Sequence, residues 1–423
     1  MDIATFLIAL IAIFVSAKLF GALAEKMKQP AVVGELLGGL VVGVSGLRLV
    51  DPAEPTIHLL AQLGVILLLF MIGLETRLES LLSAGAPAFV VAVAGVTATF
   101  AGGFALGRAL GFRDLIAVFL GAALTATSVG ITARVLGDLG HLADREAQII
   151  LGAAVIDDIL GVVLLTVVSR IADGAPVTAG LVGRISLMGF GFVFLAVLIG
   201  ARLAPTLIRI VDRIDVAHGL FFASLVFALA LAYLADRAGS AIVIGSFAAG
   251  VILARTQKAR QIQREIHDAA HLFVPIFFVA AGAAIDLRAM NPLHGSTGRF
   301  LIIGFALAAI AIAGKMGAAM LAFGPGGLRR SVIGAGMIPR GEVSLMFAQS
   351  GLAGGLLSKG LYGAIMVMVA LTAIIAPLLL RRLLPPSRTP ERSEQSPEGC
   401  DLVMDSPLVT ARRDTGGNAE RSP

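Results

Sequence analysis

Two adjacent acids, Asp157 and Asp158, lie in the middle of the apolar run Ala153-Ala-Val-Ile-Asp-Asp-Ile-Leu-Gly-Val-Val-Leu-Leu. Charged side chains inside such a run are costly to bury and by default indicate function. Carboxylate oxygens suit hard cations, and a buried carboxylate can hold either a proton or a metal cation. Competition between those two ligands is what an exchange of cations for protons requires. The alternative is a structural acid pair that a buried base neutralises.

The adjacency of the two acids limits what they can do together. Consecutive residues on a helix point about 100° apart, so one carboxylate can line a cation site while the other meets a neighbouring helix or water. An intramembrane aspartyl protease needs two converging aspartates on different helices, which argues against that enzyme class. A cation channel would have no reason to keep a titratable pair beside a buried amine.

Three further charged residues fall inside apolar runs. Lys315 lies in Ile310-Ala-Ile-Ala-Gly-Lys-Met-Gly-Ala, and Arg340 and Glu342 lie in Met337-Ile-Pro-Arg-Gly-Glu-Val-Ser-Leu. An isolated ammonium in the membrane interior is expensive, so Lys315 must be paired or neutral. Glu75 ends the third apolar run and is either an acid on the ion pathway or a helix-end acid beside Arg77.

Two apolar segments carry residues that interrupt a helix. The first contains Thr125-Ala-Thr-Ser-Val-Gly-Ile-Thr, and the second contains Gly334-Ala-Gly-Met-Ile-Pro-Arg-Gly-Glu, where Pro339 removes a backbone donor. The two stretches are about 213 residues apart, and paired interrupted segments in two halves of a transporter indicate its binding site. We therefore expect Thr127 and Ser128 to contribute to the site, although small residues at these positions could also serve helix packing.

The composition shows which elements must position these residues. Hydrophobic residues make up 57% of the chain and charged residues 14%, against about 25% charged in a soluble domain. The sequence therefore predicts an all-α polytopic membrane protein. The single cysteine, Cys400, excludes an internal disulfide framework. Basic residues beside membrane helices account for the net charge of +5, so no nucleic-acid partner and no cofactor are expected.

Apolar segments of spanning length follow one another almost without pause and predict about thirteen transmembrane helices. Residues 1–384 would form the membrane transporter domain, and the polar residues 385–423 a disordered cytoplasmic tail. Lys and Arg concentrate in the connections that are cytoplasmic if the N-terminus is outside and the C-terminus inside. The expected spans are 3–24, 31–49, 57–75, 84–109, 113–137, 146–171, 178–204, 217–236, 239–255, 268–286, 298–322, 329–354 and 360–384.

The chain also repeats itself. The segment Val33-Gly-Glu-Leu-Leu-Gly-Gly-Leu-Val resembles Ile244-Gly-Ser-Phe-Ala-Ala-Gly-Val-Ile at an offset of 211 residues, and the stretch 63–73 resembles 272–282 at an offset of 209. Each match joins helices that are an odd number of places apart. The two copies would therefore be inverted across the membrane, as in many secondary transporters.

Taken together, the hydroxyl-rich stretch at Thr125, the adjacent aspartates, Lys315 and Pro339-Arg-Gly-Glu-Val resemble the bacterial monovalent cation:proton antiporters, in particular sodium/proton antiporters of the NapA type. Kef potassium systems are relatives of these. The resemblance covers residues 1 to about 384. It implies two crossed discontinuous helices, Asp158 as the main ion-binding carboxylate and Asp157 as the partner of Lys315.

The same resemblance implies a core domain, at about 84–171 and 298–384, that moves like an elevator against a dimer domain at about 1–75 and 178–286. We expect a homodimer in the bacterial inner membrane that exchanges sodium or lithium for protons electrogenically, with Asp157 and Asp158 holding sodium transiently. A potassium/proton antiporter is the alternative, and a cation channel is a more distant one. The sequence shows no nucleotide-binding domain after the membrane part, which argues against a Kef-like gated system.

Overall fold

The computed structural model of the protein describes residues 2–76, 78–172, 175–214, 218–285, 297–324 and 327–384. The regular secondary structure in these ranges consists of sixteen α-helices and no strand. The expected tail, 385–423, lies outside the described residues. The helices are α1 (Ile3–Lys26), α2 (Ala31–Val42), α3 (Pro55–Glu75), α4 (Leu78–Ser83), α5 (Gly85–Ala109), α6 (Asp114–Ala123), α7 (Val129–Asp138), α8 (Arg145–Ala172), α9 (Ala179–Ile214), α10 (Gly219–Arg237), α11 (Ile242–Leu253), α12 (Ala259–Ala283), α13 (Thr297–Ala319), α14 (Arg330–Gly336), α15 (Glu342–Ala353) and α16 (Lys359–Leu383).

The all-α membrane class is confirmed, because nine of the described helices are long and apolar enough to cross a bilayer and four shorter helices are also apolar. The expected spans 113–137 and 329–354 each consist of two half-helices, α6 with α7 and α14 with α15. The six-residue helix α4 was not expected. Thirteen segments of the expected kind therefore remain when each pair of half-helices is taken as one and α4 is set aside.

Several boundaries differ from the expected spans for identifiable reasons. Helix α2 ends at Val42 rather than near residue 49, because the chain leaves the helical conformation at Gly43. Helix α12 begins at Ala259, about nine residues earlier than expected, because its first turns are amphipathic. Hydropathy alone does not identify amphipathic turns as part of a membrane helix. Two residues of these turns, Ile262 and Ile266, are nevertheless fully buried.

The two halves of the chain correspond helix by helix. An offset of 211 carries α2, at 31–42, onto α11, at 242–253, without a change in length. Offsets of about 213 carry the half-helices α6 and α7 onto the positions of α14 and α15. Helix α9 lies between the two halves. Each half therefore contributes six spans, which agrees with the repeat that the sequence predicts.

Two glycine contacts join the halves and show the same correspondence. Gly39 in α2 lies against Gly282 in α12, and Gly73 in α3 lies against Gly250 in α11. A Cβ atom added at any of the four would overlap a backbone carbonyl of the opposite helix, so only glycine permits this approach. The internal repeat relates the two contacts to each other. The offset of 211 carries Gly39 of the first contact to Gly250 of the second, and the offset of 209 carries Gly73 of the second to Gly282 of the first.

The helices pack as two groups. Helices α1–α3 pack with α9–α12, and helices α5–α8 pack with α13–α16. The groups meet where α7 contacts α2 and α3, where α8 contacts α9 and where α16 contacts α2. The functional division expected for them, into a core and a dimer domain, stays a prediction.

Candidate functional site

The two interrupted helices cross at their breaks. The first break, residues 124–128, separates α6 from α7, and the second, residues 337–341, separates α14 from α15. The backbone N–H of Ser128 donates to the carbonyl oxygen of Pro339 at 2.7 Å. Since this bond joins one break directly to the other, Ser128 contributes to the crossing through its backbone.

Two hydroxyl groups hold the crossing from opposite sides. Thr132 Oγ1 donates to the carbonyl of Gly336 at 2.6 Å, and Ser344 Oγ donates to the carbonyl of Ala123 at 2.7 Å. Each carbonyl belongs to the last residue of a half-helix, where donors within the helix run out. The repeat relates the two bonds, since the offsets are 212 between the hydroxyl residues and 213 between the acceptors.

Asp157 lies at this crossing and is fully buried. The ammonium of Lys315, which is also fully buried, donates to Asp157 Oδ2. Thr127 Oγ1 lies 2.7 Å from the same oxygen and 3.2 Å from the carbonyl of Met337, so its hydroxyl can donate to either. Asp157 Oδ1 has no hydrogen-bond partner within the described residues. This carboxylate therefore depends on Lys315 and Thr127 for its stabilisation.

Lys315 reaches Asp157 because α5 leaves room for its side chain. A Cβ atom added at Gly95 in α5 would lie 2.8 Å from Lys315 Cδ and 3.0 Å from its Nζ. Any side chain at position 95 would therefore displace the amine. Gly95 is part of the site although it has no polar side chain.

Asp158, the next residue on α8, is rotated by about 100° around the helix from Asp157. It is 7% exposed and lines a small, mostly apolar cavity with residues of α3, α7 and α11, among them Leu69, Val129 and Phe247. Helices α3 and α11 belong to one group of helices and α7 and α8 to the other. Asp158 therefore faces the boundary between the groups, while Asp157 faces the crossing within one of them.

Arg340 fills the second break from the inside. Its side chain is fully buried, and its backbone N–H donates to Thr372 Oγ1 at 3.2 Å. Its Nη1 is surrounded by four oxygens that share its two hydrogens. They are the carbonyls of Met337 (3.1 Å), Ile338 (3.2 Å) and Pro339 (3.4 Å) and the hydroxyl of Thr127 (3.5 Å).

The carbonyls of the first break accept fewer hydrogen bonds than those of the second. The carbonyls of residues 124–127 accept no hydrogen bond from the described part of the chain. Oxygens of this kind, with a carboxylate beside them, are suitable ligands for a small monovalent cation. Among the described residues no group of three or more His, Cys, Asp or Glu could hold a resident metal ion.

One of the expected site residues, Glu75, is not part of this cluster. Glu75 Oε1 accepts from Gln263 Nε2 at 2.9 Å and lines a separate cavity with Glu79 and Arg255. It lies six residues beyond Leu69 on α3, roughly 9 Å along the helix from the Asp158 cavity. Arg77, its other expected neighbour, lies outside the described residues.

Glu342 is the first residue of α15, and its side chain lies outside the described part. Four residues of the site were missed at the level of the sequence: Gly95, Thr132, Ser344 and Thr372. Thr132 belongs to the hydroxyl-rich stretch that marks the first break, and Ser344 follows from it through the repeat offset. Gly95 gives no signal in a chain with 50 glycines.

Comparisons with known proteins agree with this fold and identify the family. Residues 9–385 match the family model "Sodium/hydrogen exchanger, transmembrane". The chain is 37% identical to the high-affinity Na⁺/H⁺ antiporter NhaS3 of Synechocystis sp., over 92% of each chain. It is 36% identical to the Na⁺/H⁺-K⁺ antiporter GerN of Bacillus cereus, over 87% of this chain and 94% of that protein.

A solved structure of the sodium proton antiporter MjNhaP1 from Methanocaldococcus jannaschii has a TM-score of 0.69 and is 17% identical to the chain. The alignment covers 92% of this chain and all of that one. At this identity the match concerns the fold. It agrees with the helical architecture described above, and the family resemblance drawn from the sequence is confirmed.

Proposed function

Because the chain belongs to the sodium/hydrogen exchanger family, we propose that it moves sodium or lithium out of a bacterial cell in exchange for protons. It is a multi-span membrane transporter and not an enzyme. The names of its relatives NhaS3 and GerN both include Na⁺/H⁺ exchange, which supports sodium and protons as the substrates. The inner membrane is the location that this activity implies.

The observation that carries the proposal is the different surroundings of two adjacent carboxylates. Asp157 is held by a buried ammonium and a hydroxyl, whereas Asp158 lines a cavity between two groups of helices. Asp157 is therefore placed to form a buried ion pair, and Asp158 is placed to bind an ion that enters through the cavity. A site with both properties can alternate between protons and sodium.

Exchange would proceed through competition at these two acids. In the sodium-free state Asp158 holds a proton and Lys315 is paired with Asp157. Sodium then binds at the carboxylates, with the carbonyls of residues 124–127 and the oxygen of Thr127 as further ligands. The Lys315–Asp157 pair opens, and the protons of Asp158 and Lys315 leave. Two protons would cross for each sodium ion, so transport would be electrogenic.

The boundary at Asp158 supports an elevator-like movement. The group formed by α5–α8 and α13–α16 would be the core and would carry the ion, and α1–α3 with α9–α12 would form the dimer domain. Exposed apolar side chains on α9, such as Leu187 and Phe194, suit contact with lipid or with a second copy of the chain. The charge distribution in the loops supports an outside N-terminus and a cytoplasmic C-terminus.

The test is ion exchange in acid-loaded proteoliposomes that contain a pH dye. External sodium or lithium should make the interior alkaline, whereas choline should not. An equal or larger response to potassium would favour the potassium/proton alternative, which the relative GerN, named as an Na⁺/H⁺-K⁺ antiporter, keeps open. If no alkali cation drives proton efflux from vesicles that contain folded protein, the proposed exchange is wrong.

A further inference from the structure

The surroundings of Arg340 consist of oxygens rather than acids. Its Nη1 meets three carbonyls and one hydroxyl at 3.1–3.5 Å. Within the described part of the chain, its Nε and Nη2 have no hydrogen-bond partner and no carboxylate lies within ion-pair distance. A buried charge that forms no close ion pair is costly, and the carbonyl dipoles of the break contribute to its stabilisation together with the more distant Asp157. Oxygen cradles of this kind are what proteins offer to cations.

In the internal repeat, the oxygens around Arg340 correspond in position to the candidate cation site. The offset of 213 carries Thr127 onto Arg340, and it carries Asp157 and Asp158 onto Ala370 and Leu371 in α16. The first half therefore has two acids beside a break with unoccupied carbonyls. The second half has two apolar residues in their place and an arginine inside the break. The second break therefore holds a covalently attached positive charge, whereas in the proposed function the first break binds a free one.

We propose that the Arg340 guanidinium is a built-in cation that fills the second break, at the position equivalent to the transported ion in the first. The chain then has one exchangeable cation site rather than two. Removal of the side chain opens the second break to a free guanidinium ion or a similar weakly hydrated monovalent cation. The equivalence with the transported ion rests on the proposed function, whereas the carbonyl cradle does not.

Physical chemistry favours arginine over lysine at this position. A guanidinium is more weakly hydrated than an ammonium and spreads its charge over a plane, so its burial costs less. The C-terminal end of α14 contributes partial negative charge at the same place. The side chain also keeps the carbonyls of the second break engaged, which directs an incoming ion to the first break.

The experiment is chemical rescue of Arg340→Ala by guanidinium chloride. The purified variant is heated in detergent with the salt at roughly 0.1–10 mM, a range suited to a very small ligand and far below denaturing concentrations. We expect its unfolding temperature to rise by several degrees and to saturate, while choline chloride has no such effect. The wild type and Arg330→Ala should not respond, because Arg330 is exposed and bonds to the carbonyl of Ala322.

A lack of saturable stabilisation, or an equal response in the wild type, would overturn the proposal. If Arg340→Ala does not fold even when it is prepared with guanidinium, Arg340→Lys and Arg340→Met decide. A lysine retains the positive charge and should unfold at a higher temperature than methionine. Equal unfolding temperatures for these two variants would also overturn the proposal.

The double variant Arg340→Ala/Asp158→Asn separates this inference from the proposed function. Its stabilisation by guanidinium should persist, because the second break makes no use of Asp158. Loss of the stabilisation would mean that guanidinium binds at the transport site and would overturn the inference alone. Normal sodium/proton exchange by Asp158→Asn would instead refute the proposed function and leave the cradle intact.

Discussion

At the scale of single residues, identical side chains take different roles through their neighbours. Asp157 and Asp158 are adjacent on α8, yet one touches Lys315 and Thr127 while the other lines a cavity. The helix rotation separates them, and α13 and the first break supply the partners of Asp157. In our proposal, Asp157 therefore keeps the charge balance and Asp158 receives the ion.

Replacement of Asp158 by Asn should abolish exchange without loss of the folded protein. The amide keeps the shape of the side chain but can neither carry the charge that binds sodium nor release a proton. Sodium-dependent proton flux in proteoliposomes should fall to that of empty vesicles. The exposed Glu79 provides the control, since Glu79→Gln removes a carboxylate outside the site. Near-normal flux in Asp158→Asn would show that another group binds the ion.

Thr127→Ala should weaken the apparent affinity for sodium more than it lowers the maximal rate. The variant removes the hydroxyl that lies 2.7 Å from Asp157 Oδ2, and a hydrogen bond to a charged group contributes about 1.5–3 kcal/mol. We expect the apparent KM for sodium to rise by roughly tenfold or more. Thr127→Ser keeps the hydroxyl and should remain close to the wild type. Unchanged KM and rate in Thr127→Ala would mean that the residue serves packing alone.

The sequence was informative about charged residues because each one stands out in an apolar run. Lys315 and Arg340 could be singled out in this way, but their neighbours could not be derived from their positions. The pairing of Lys315 with Asp157 was implied only by the family resemblance. Gly95, which makes room for the amine, could not be distinguished from the many glycines that serve ordinary packing.

At the scale of helices, the crossing is held by hydrogen bonds between elements rather than within them. The hydroxyls of Thr132 and Ser344 each bind the terminal carbonyl of a half-helix from the other half of the chain. Hydropathy predicted both interrupted spans, since proline, glycine and hydroxyl residues mark the breaks. It could not predict the partners, because a hydroxyl in a membrane helix more often bonds to its own backbone.

Thr132→Val and Ser344→Ala should each destabilise the protein. Either variant leaves a buried carbonyl without its donor, which costs about 1–3 kcal/mol, and both positions are fully or almost fully buried. Thermal unfolding in detergent should show a lower midpoint for both. Thr166→Val is the control, since Thr166 bonds to the carbonyl of Val162 in its own helix at 2.9 Å. Equal effects in all three variants would contradict a special role of the crossing bonds.

At the scale of the whole molecule, the proposed mechanism makes the charge carried through the membrane depend on Lys315. With Asp158 protonated and Lys315 charged, the proton-loaded site is one unit more positive than a sodium-loaded site in which both protons have left. The inward movement of the proton-loaded form would then transfer net charge. If Lys315 instead remained charged throughout, the two loaded forms would have the same charge and exchange would be electrically silent.

Proteoliposomes clamped at zero potential, with valinomycin and equal potassium on both sides, distinguish these cases. Two-for-one exchange reaches equilibrium when the sodium ratio equals the square of the proton ratio. One-for-one exchange stops when the two ratios are equal, and that result would refute the two-proton mechanism. Lys315→Gln should be electroneutral or severely impaired. Lys359→Gln, at the start of α16, is the control and should retain the stoichiometry of the wild type.

The glycine contacts between α2 and α12 and between α3 and α11 have a consequence for genetics. At each of them the atom that excludes a larger residue belongs to the main chain, so no change of a neighbouring side chain can restore the lost room. A defect caused by Gly73→Ala or Gly250→Ala should therefore resist second-site suppression within the contact. Selection for regained sodium tolerance should return mainly true revertants. At Gly102, where the obstructing atom is a side-chain atom of Ile310, suppressors at position 310 should be readily found.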